Sequence, residues 1–232
     1  MALEQKRAAF FDVDNTLIRG SSLYFLGRGM YQRGYFTKAD ISRFVLANLR
    51  FRLTGTEKKE EIVKFQNAAT SFIGGHNVQE IQKLGEEIYD EFVSPSLWQG
   101  TIEIAQAHLA DGVEVWLVTA APEDMATLIA KRLGFDDVIA TDLATDSTGH
   151  VLARIDGHNC YDAAKLERVK GWMEAHGLSR ENCHIRAYSD HVSDAPLLSY
   201  ADEPFATNPH GPLARLAATN GWPILDWRDP KA

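Results

Sequence analysis

The chain has 232 residues, 45% hydrophobic and 24% charged, which supports a globular protein with core enough to fold without cross-links. A net charge of −8 argues against a nucleic-acid partner. Cys160 and Cys183 are the only cysteines, too few for a disulfide framework and in keeping with a reducing compartment.

The first predicted element is a buried strand over residues 8–13, "AAFFDV", an apolar run that ends in Asp12 with Asp14 close behind. Only four apolar residues separate Arg7 from Asp12, too few for a secretory-signal core, and no stretch is long enough to span a bilayer. The cytoplasm is therefore the expected location. Residues 20–96 hold no convincing strand and read as four helical stretches, near 23–34, 38–53, 56–73 and 77–93. In the last of these Val78, Ile81, Leu84, Ile88 and Phe92 recur at three- and four-residue spacing, one apolar stripe. Gly74-Gly75 precedes it and Pro95 closes the segment.

Strand and helix then alternate. "VEVWLVT" (113–119) reads as a strand, 123–133 as a helix, and "LATDSTGHVLARIDG" (143–157) as a small hairpin turning at Ser-Thr-Gly. A helix over 163–176 precedes the strand "CHIRAYS" (183–189); "PFAT" (204–207), a helix over 212–219 and "PILDW" (223–227) complete the series. The pattern predicts an α/β protein, a Rossmann-like parallel sheet covered on both faces, with an all-helical insert after the first strand. The domain division it suggests is 1–19 with 97–232 as the core and 20–96 as the insert.

Burying charge is costly, so two aspartates at a strand's end ask for a reason. Ligands of open α/β sheets bind beyond the carboxyl ends of the strands. Two neighbouring carboxylates repel unless a cation intervenes, and hard oxygen ligands favour magnesium. Thr119 ends the second strand, where its hydroxyl and the backbone N–H groups from Ala120 onward could hold a phosphate or oxyanion. Lys165 lies early in a helix, where a solvated lysine is an equal reading. Asp190 and Asp194 in "YSDHVSDAPLL" form a second acidic pair at a strand end, although Asp194 could equally cap the helix that follows.

In this order the residues resemble the haloacid dehalogenase-like (HAD) superfamily, more narrowly its phosphoserine-phosphatase-like subfamily IB. "FFDVDNTL" matches the DxDxT-L motif, "LVTAA" the second motif, Lys165 the third and "SDHVSD" the DxxxD fourth; the tail with Asn208-Pro209 and "GWPIL" is also similar. The resemblance implies a magnesium-dependent phosphatase, with the helical insert as a cap. Asp12 would be the nucleophile and Asp14 the general acid and base. Magnesium would be held by Asp12, the Asp14 carbonyl and Asp190. Thr119, Ala120 and Lys165 would hold the phosphoryl group, with Asp194 behind Lys165 or a metal-bound water. Dehalogenases of the superfamily lack the second aspartate, so Asp14 favours phosphoryl transfer to water. A phosphotransferase or mutase and a non-catalytic regulatory module are the alternatives.

Phosphoserine phosphatase has a glutamate soon after the first motif that binds the substrate amine; here the matching stretch holds Ser21 and Ser22, which speaks against phosphoserine and for another small phosphorylated metabolite. Arg43 and Arg50 share one helix face and could meet an anionic group, a solvated basic face being the other reading. Phe44, Leu46, Leu49, Phe51 and Leu53 occupy more than one face, as cap core, apolar substrate contact or homodimer contact. His158 and Cys160 have no matching pair for a zinc site. Trp98, Trp172 and Trp227 read as packing residues.

Overall fold

A computed structural model describes residues 5–35, 37–38, 74–156 and 159–228. The helical stretches read near 38–53 and 56–73, with Arg43 and Arg50, and His158 lie outside the described residues.

The sheet begins with β1 (Lys6–Phe11), β2 (Glu114–Pro122) and β3 (Asp137–Thr141), and continues with β6 (Cys183–Ser189), β7 (Glu203–Thr207) and β8 (Ile224–Leu225). Its order is β3-β2-β1-β6-β7-β8, and every pairing is parallel. The chain starts in the middle, builds outward to β3, then returns to the other side of β1. The switch in direction therefore falls between β1 and β6, where open α/β sheets bind ligands. β4 (Leu143–Thr145) and β5 (Val151–Ile155) form the antiparallel hairpin that the Ser-Thr-Gly turn predicts.

β1 explains why both faces are covered. Successive side chains of a strand point to opposite faces. Phe10 thus joins one apolar cluster with Val169, Met173, Leu197 and Leu213, while Phe11 joins another with Ala105, Leu117 and Ile129. The first group comes from helices α5 (Ala163–Ala175), α6 (Ala195–Tyr200) and α7 (Gly211–Asn220); the second includes α3 (Gln99–Ala110) and α4 (Glu123–Leu133). Phe11 stacks on Tyr188 at 4.2 Å and Tyr188 on Phe205 at 4.6 Å, an aromatic row across β1, β6 and β7.

Two α-helices of the 20–96 segment are described, α1 (Ser22–Gln32) and α2 (Val78–Ile88), the second continuing as a π-helical turn over Tyr89–Val93. The expected stripe of α2 is buried at Ile81, Leu84 and Ile88, and Phe92 extends it beyond the helix. Gly29 lets α1 lie against Ile88, since a Cβ built there would fall 2.3 Å from its Cγ1. Both helices share the apolar cluster of Phe11 and Leu128, so they pack over the sheet and α4.

Sequence and structure differ in places. β2 runs on through Pro122, with a shift of register between Val118 and Pro122, so Thr119 lies within the strand and not at its end. β8 is shorter than the predicted 223–227. β3 and α3 have no counterpart among the predicted elements.

Candidate active site

β1 hands its chain to the site through a backbone bond, the Asp12 N–H donating to the Tyr188 carbonyl at 2.9 Å. Because Phe11 lies opposite Tyr188, Asp12 faces the end of β6 and the Ser189-Asp190 step, across the strand separation of about 4.8 Å. Past Asp12 the chain turns at once. Leu17 and Ile18 both donate to the Val13 carbonyl, and Asn15 adopts a left-handed backbone with φ 57°. Asn208, itself at φ 47°, holds this turn from 193 residues away, its Nδ2 donating to the Asn15 carbonyl at 3.0 Å.

Lys165 is brought in by the first turn of α5. The preceding Asp162 takes a positive φ of 57°, uncommon for a residue with a side chain, and its carbonyl accepts the Lys165 N–H. The reading of Lys165 as a solvated helix lysine is excluded, because it is 3% exposed. Its ammonium lies 2.7 Å from Asp12 Oδ1 and 2.6 Å from Asp194 Oδ2. Asp194 also accepts the Ser189 hydroxyl at 2.7 Å and makes no side-chain cap on α6, which removes the capping alternative.

Asp190 is buried beside this group, with His210 Nε2 3.2 Å from its Oδ2. Burial, then Asp12 and Asp194, push its carboxyl up to about 8. Burial likewise raises Asp12, to about 7, against the pull of Lys165. Burial alone would lower Lys165, but Asp12 and Asp194 outweigh it and hold the ammonium above the usual lysine range. Asp12 and Asp194 thus share one ammonium, and Asp12 and Asp190 are both pushed above the usual carboxylate range.

Whether a divalent cation fits is a question of the donor set. Asp12 and Asp190 offer hard carboxylate oxygens from adjacent strand ends, the donor type magnesium takes. Among the described residues no three His, Cys, Asp or Glu side chains gather as an ion site. Two carboxylates with the Asp14 main-chain carbonyl would be the protein's share, leaving room for water and phosphate.

Asp14 points elsewhere. Its Oδ1 accepts both the backbone N–H (2.8 Å) and the hydroxyl (2.7 Å) of Ser22. Ser22, read in the sequence with Ser21 as bearing on substrate specificity, is fully buried with its hydroxyl committed to Asp14. Ser21 precedes α1 and remains partly exposed. Where the register of β2 shifts, Thr119 is 2% exposed, and its Oγ1 accepts the Ala121 N–H at 3.1 Å. That leaves the hydroxyl proton for a ligand oxygen. Ala120 is partly exposed beside it. Sequence reading missed Ser189 and His210 altogether and took Asn208 only as part of a familiar tail; no local pattern marks any of them.

A family model described as haloacid dehalogenase-like hydrolase matches residues 9–199. A protein of Mycobacterium tuberculosis named phosphoserine phosphatase SerB1 is 41% identical over 221 residues, 95% of this chain and 71% of that protein. A histidinol-phosphatase of Neisseria meningitidis is 25% identical over 224 residues, 96% of this chain and 100% of that protein. A crystal structure from Bordetella pertussis, described as of unknown function, superposes with a TM-score of 0.87 at 28% identity, over 97% of this chain and 100% of that one.

Proposed function

The chain belongs to the haloacid dehalogenase-like hydrolases, and from that membership we propose that it is a magnesium-dependent phosphatase acting on a small phosphomonoester through an aspartyl-phosphate on Asp12. The observation that supports this most is the Asp12 carboxylate at the switch point of the sheet, 2.7 Å from the buried Lys165 ammonium with Asp190 on the neighbouring strand.

An Asp12 oxygen attacks phosphorus as the bond to the leaving oxygen breaks. Asp14 gives that oxygen its proton, then takes one from the water that hydrolyses the aspartyl-phosphate. Lys165, the Thr119 hydroxyl and the Ala120 N–H hold the phosphoryl oxygens, where charge spreads in the transition state. Asp194 keeps the Lys165 ammonium in place, and Ser189 keeps Asp194 in place. When bound to Asp12, Asp190 and the Asp14 carbonyl, magnesium would lower the repulsion between the attacking carboxylate and the phosphate.

Residues 20–96 form the cap in this reading and set the substrate, with 1–19 and 97–232 as the catalytic core. The relative named phosphoserine phosphatase keeps phosphoserine among the compounds to assay. Ser21 and Ser22 in place of an amine-binding glutamate favour a different phosphorylated metabolite. Asp12→Asn tests the chemistry: magnesium-dependent phosphate release from an aryl phosphate should fall by at least about a thousandfold. Retained activity would remove Asp12 from the reaction. A screen of phosphoserine, histidinol phosphate and lysophospholipids then addresses the substrate.

A further inference from the structure

A carboxyl group that must deliver a proton has two oxygens, and the structure treats those of Asp14 differently. Oδ1 receives two donors from one residue, the N–H and the hydroxyl of Ser22 at 2.8 and 2.7 Å. The N–H can only donate, and with the hydroxyl donating as well Oδ1 has no acceptor beside it to which it could pass a proton. We infer that Ser22 is a positioning residue: by saturating Oδ1 it fixes the rotation of the Asp14 carboxyl and leaves Oδ2 as the oxygen that carries the proton to the leaving group. This rests on the acid–base role proposed for Asp14.

Ser22 is well placed to do so. It is the first residue of α1, whose opening N–H groups have no partner within the helix. Ser21, the residue before the helix, makes no side-chain cap, and the Asp14 carboxylate takes the first of those N–H groups. Ser22 is 0% exposed, which shields its hydroxyl from competing water. Further along, α1 is clamped by Phe25, Leu26 and Met30 in the apolar cluster and by Gly29 against Ile88. The direction of the acid is thereby set by the helix that opens the proposed cap.

In the step itself, an Asp12 oxygen bonds to phosphorus while the ester P–O bond breaks. The electron pair of that bond stays on the departing oxygen, and the proton on Asp14 Oδ2 moves to it, leaving an alcohol and an Asp14 carboxylate. A 4-nitrophenolate leaves without needing that proton; an alkoxide does not. The test compares kcat/KM for 4-nitrophenyl phosphate and for a simple alkyl phosphate in wild type, Ser22→Ala and Ser22→Thr, with magnesium present. This quantity covers the chain of events only through departure of the leaving group. The ratio of the two values is also independent of how much enzyme is folded.

Ser22→Ala should lower the alkyl value by about tenfold or more and the aryl value by less than about threefold. Ser22→Thr, which keeps the hydroxyl, should restore the wild-type ratio. Magnesium affinity, read by calorimetry, should not change, because the metal would take the Asp14 carbonyl and not its carboxyl. Equal losses on both esters, no loss on either, or a weakened magnesium affinity would each overturn the inference while leaving the phosphatase reading intact. A wild type inactive on every phosphate ester would overturn both.

Discussion

Asp190→Asn should make the magnesium-free protein more stable near neutral pH and abolish its response to magnesium. The Asp190 carboxyl is held up to about 8, first by burial and then by Asp12 and Asp194, against 3.8 for an unperturbed aspartate. Between those values the folded chain keeps a proton that the unfolded chain releases. Stability then falls as pH rises, with the full contribution present only below the unfolded pKa. One proton corresponds to about 1.4 kcal/mol per pH unit, so roughly 2–3 kcal/mol should be lost between pH 5 and pH 7. Asparagine has the same shape and no proton to lose, and it also lightens the charge on Asp12. Urea unfolding in a chelator at several pH values measures the slope, which should be shallower in the variant by about one proton. Magnesium at a hundredfold excess over its dissociation constant should stabilise the wild type by about 2.7 kcal/mol. The gain should be larger at pH 8 than at pH 5, where the cation must displace protons. Identical slopes in the two proteins would refute the reasoning.

Lys165→Met leaves Asp12 and Asp194 buried without their shared ammonium, and should cost about 3–5 kcal/mol at pH 8. The deficit should shrink at pH 5, where the raised Asp12 carboxyl can hold a proton, and denaturant midpoints at the two pH values check it. Gly29→Ala sets a methyl 2.3 Å from Ile88 Cγ1 and should lower stability by about 1–3 kcal/mol, read as a fall in Tm. Asn208→Ala removes the bonds to the Asn15 carbonyl and from the Trp227 N–H. It should cost about 1–3 kcal/mol and slow turnover, while wild-type kcat in that variant would show that the clamp does not aim the Asp12–Asp14 turn.

The elements that could be read in advance are those whose burial repeats along the chain. Phe10 and Phe11 mark a strand with two covered faces, and Val78, Ile81, Leu84 and Ile88 mark a helix with one. β3 escaped notice because it opens in aspartates. Their carboxylates accept nearby backbone N–H groups, Asp136 from Val115 and Asp137 from Val138, so a polar start hides an apolar end. α3 shows no stripe because only Thr101 and Ala105 along it are fully buried. In β2 a proline lies inside the paired segment, possible because the register shifts just before it.

The site divides along the same physical line. Asp12 and Asp190 could be read as candidates because a strand end is a place as well as a residue, and the parallel pairing of β1 and β6 brings those two places together. The groups that aim them leave no comparable trace. Asn208 acts across 193 residues on the Asn15 carbonyl, and Ser22 acts on Asp14 from eight residues away through a helix start that looks like many others. A donor needs only to arrive within about 3 Å at the right angle, and any residue type with an N–H or O–H can supply it. Chemistry therefore constrains the carboxylates tightly and their supports loosely. Within one fold, orientation can pass to a different residue while the reacting groups stay in place, so two chains sharing these carboxylates can still differ in how well they use them.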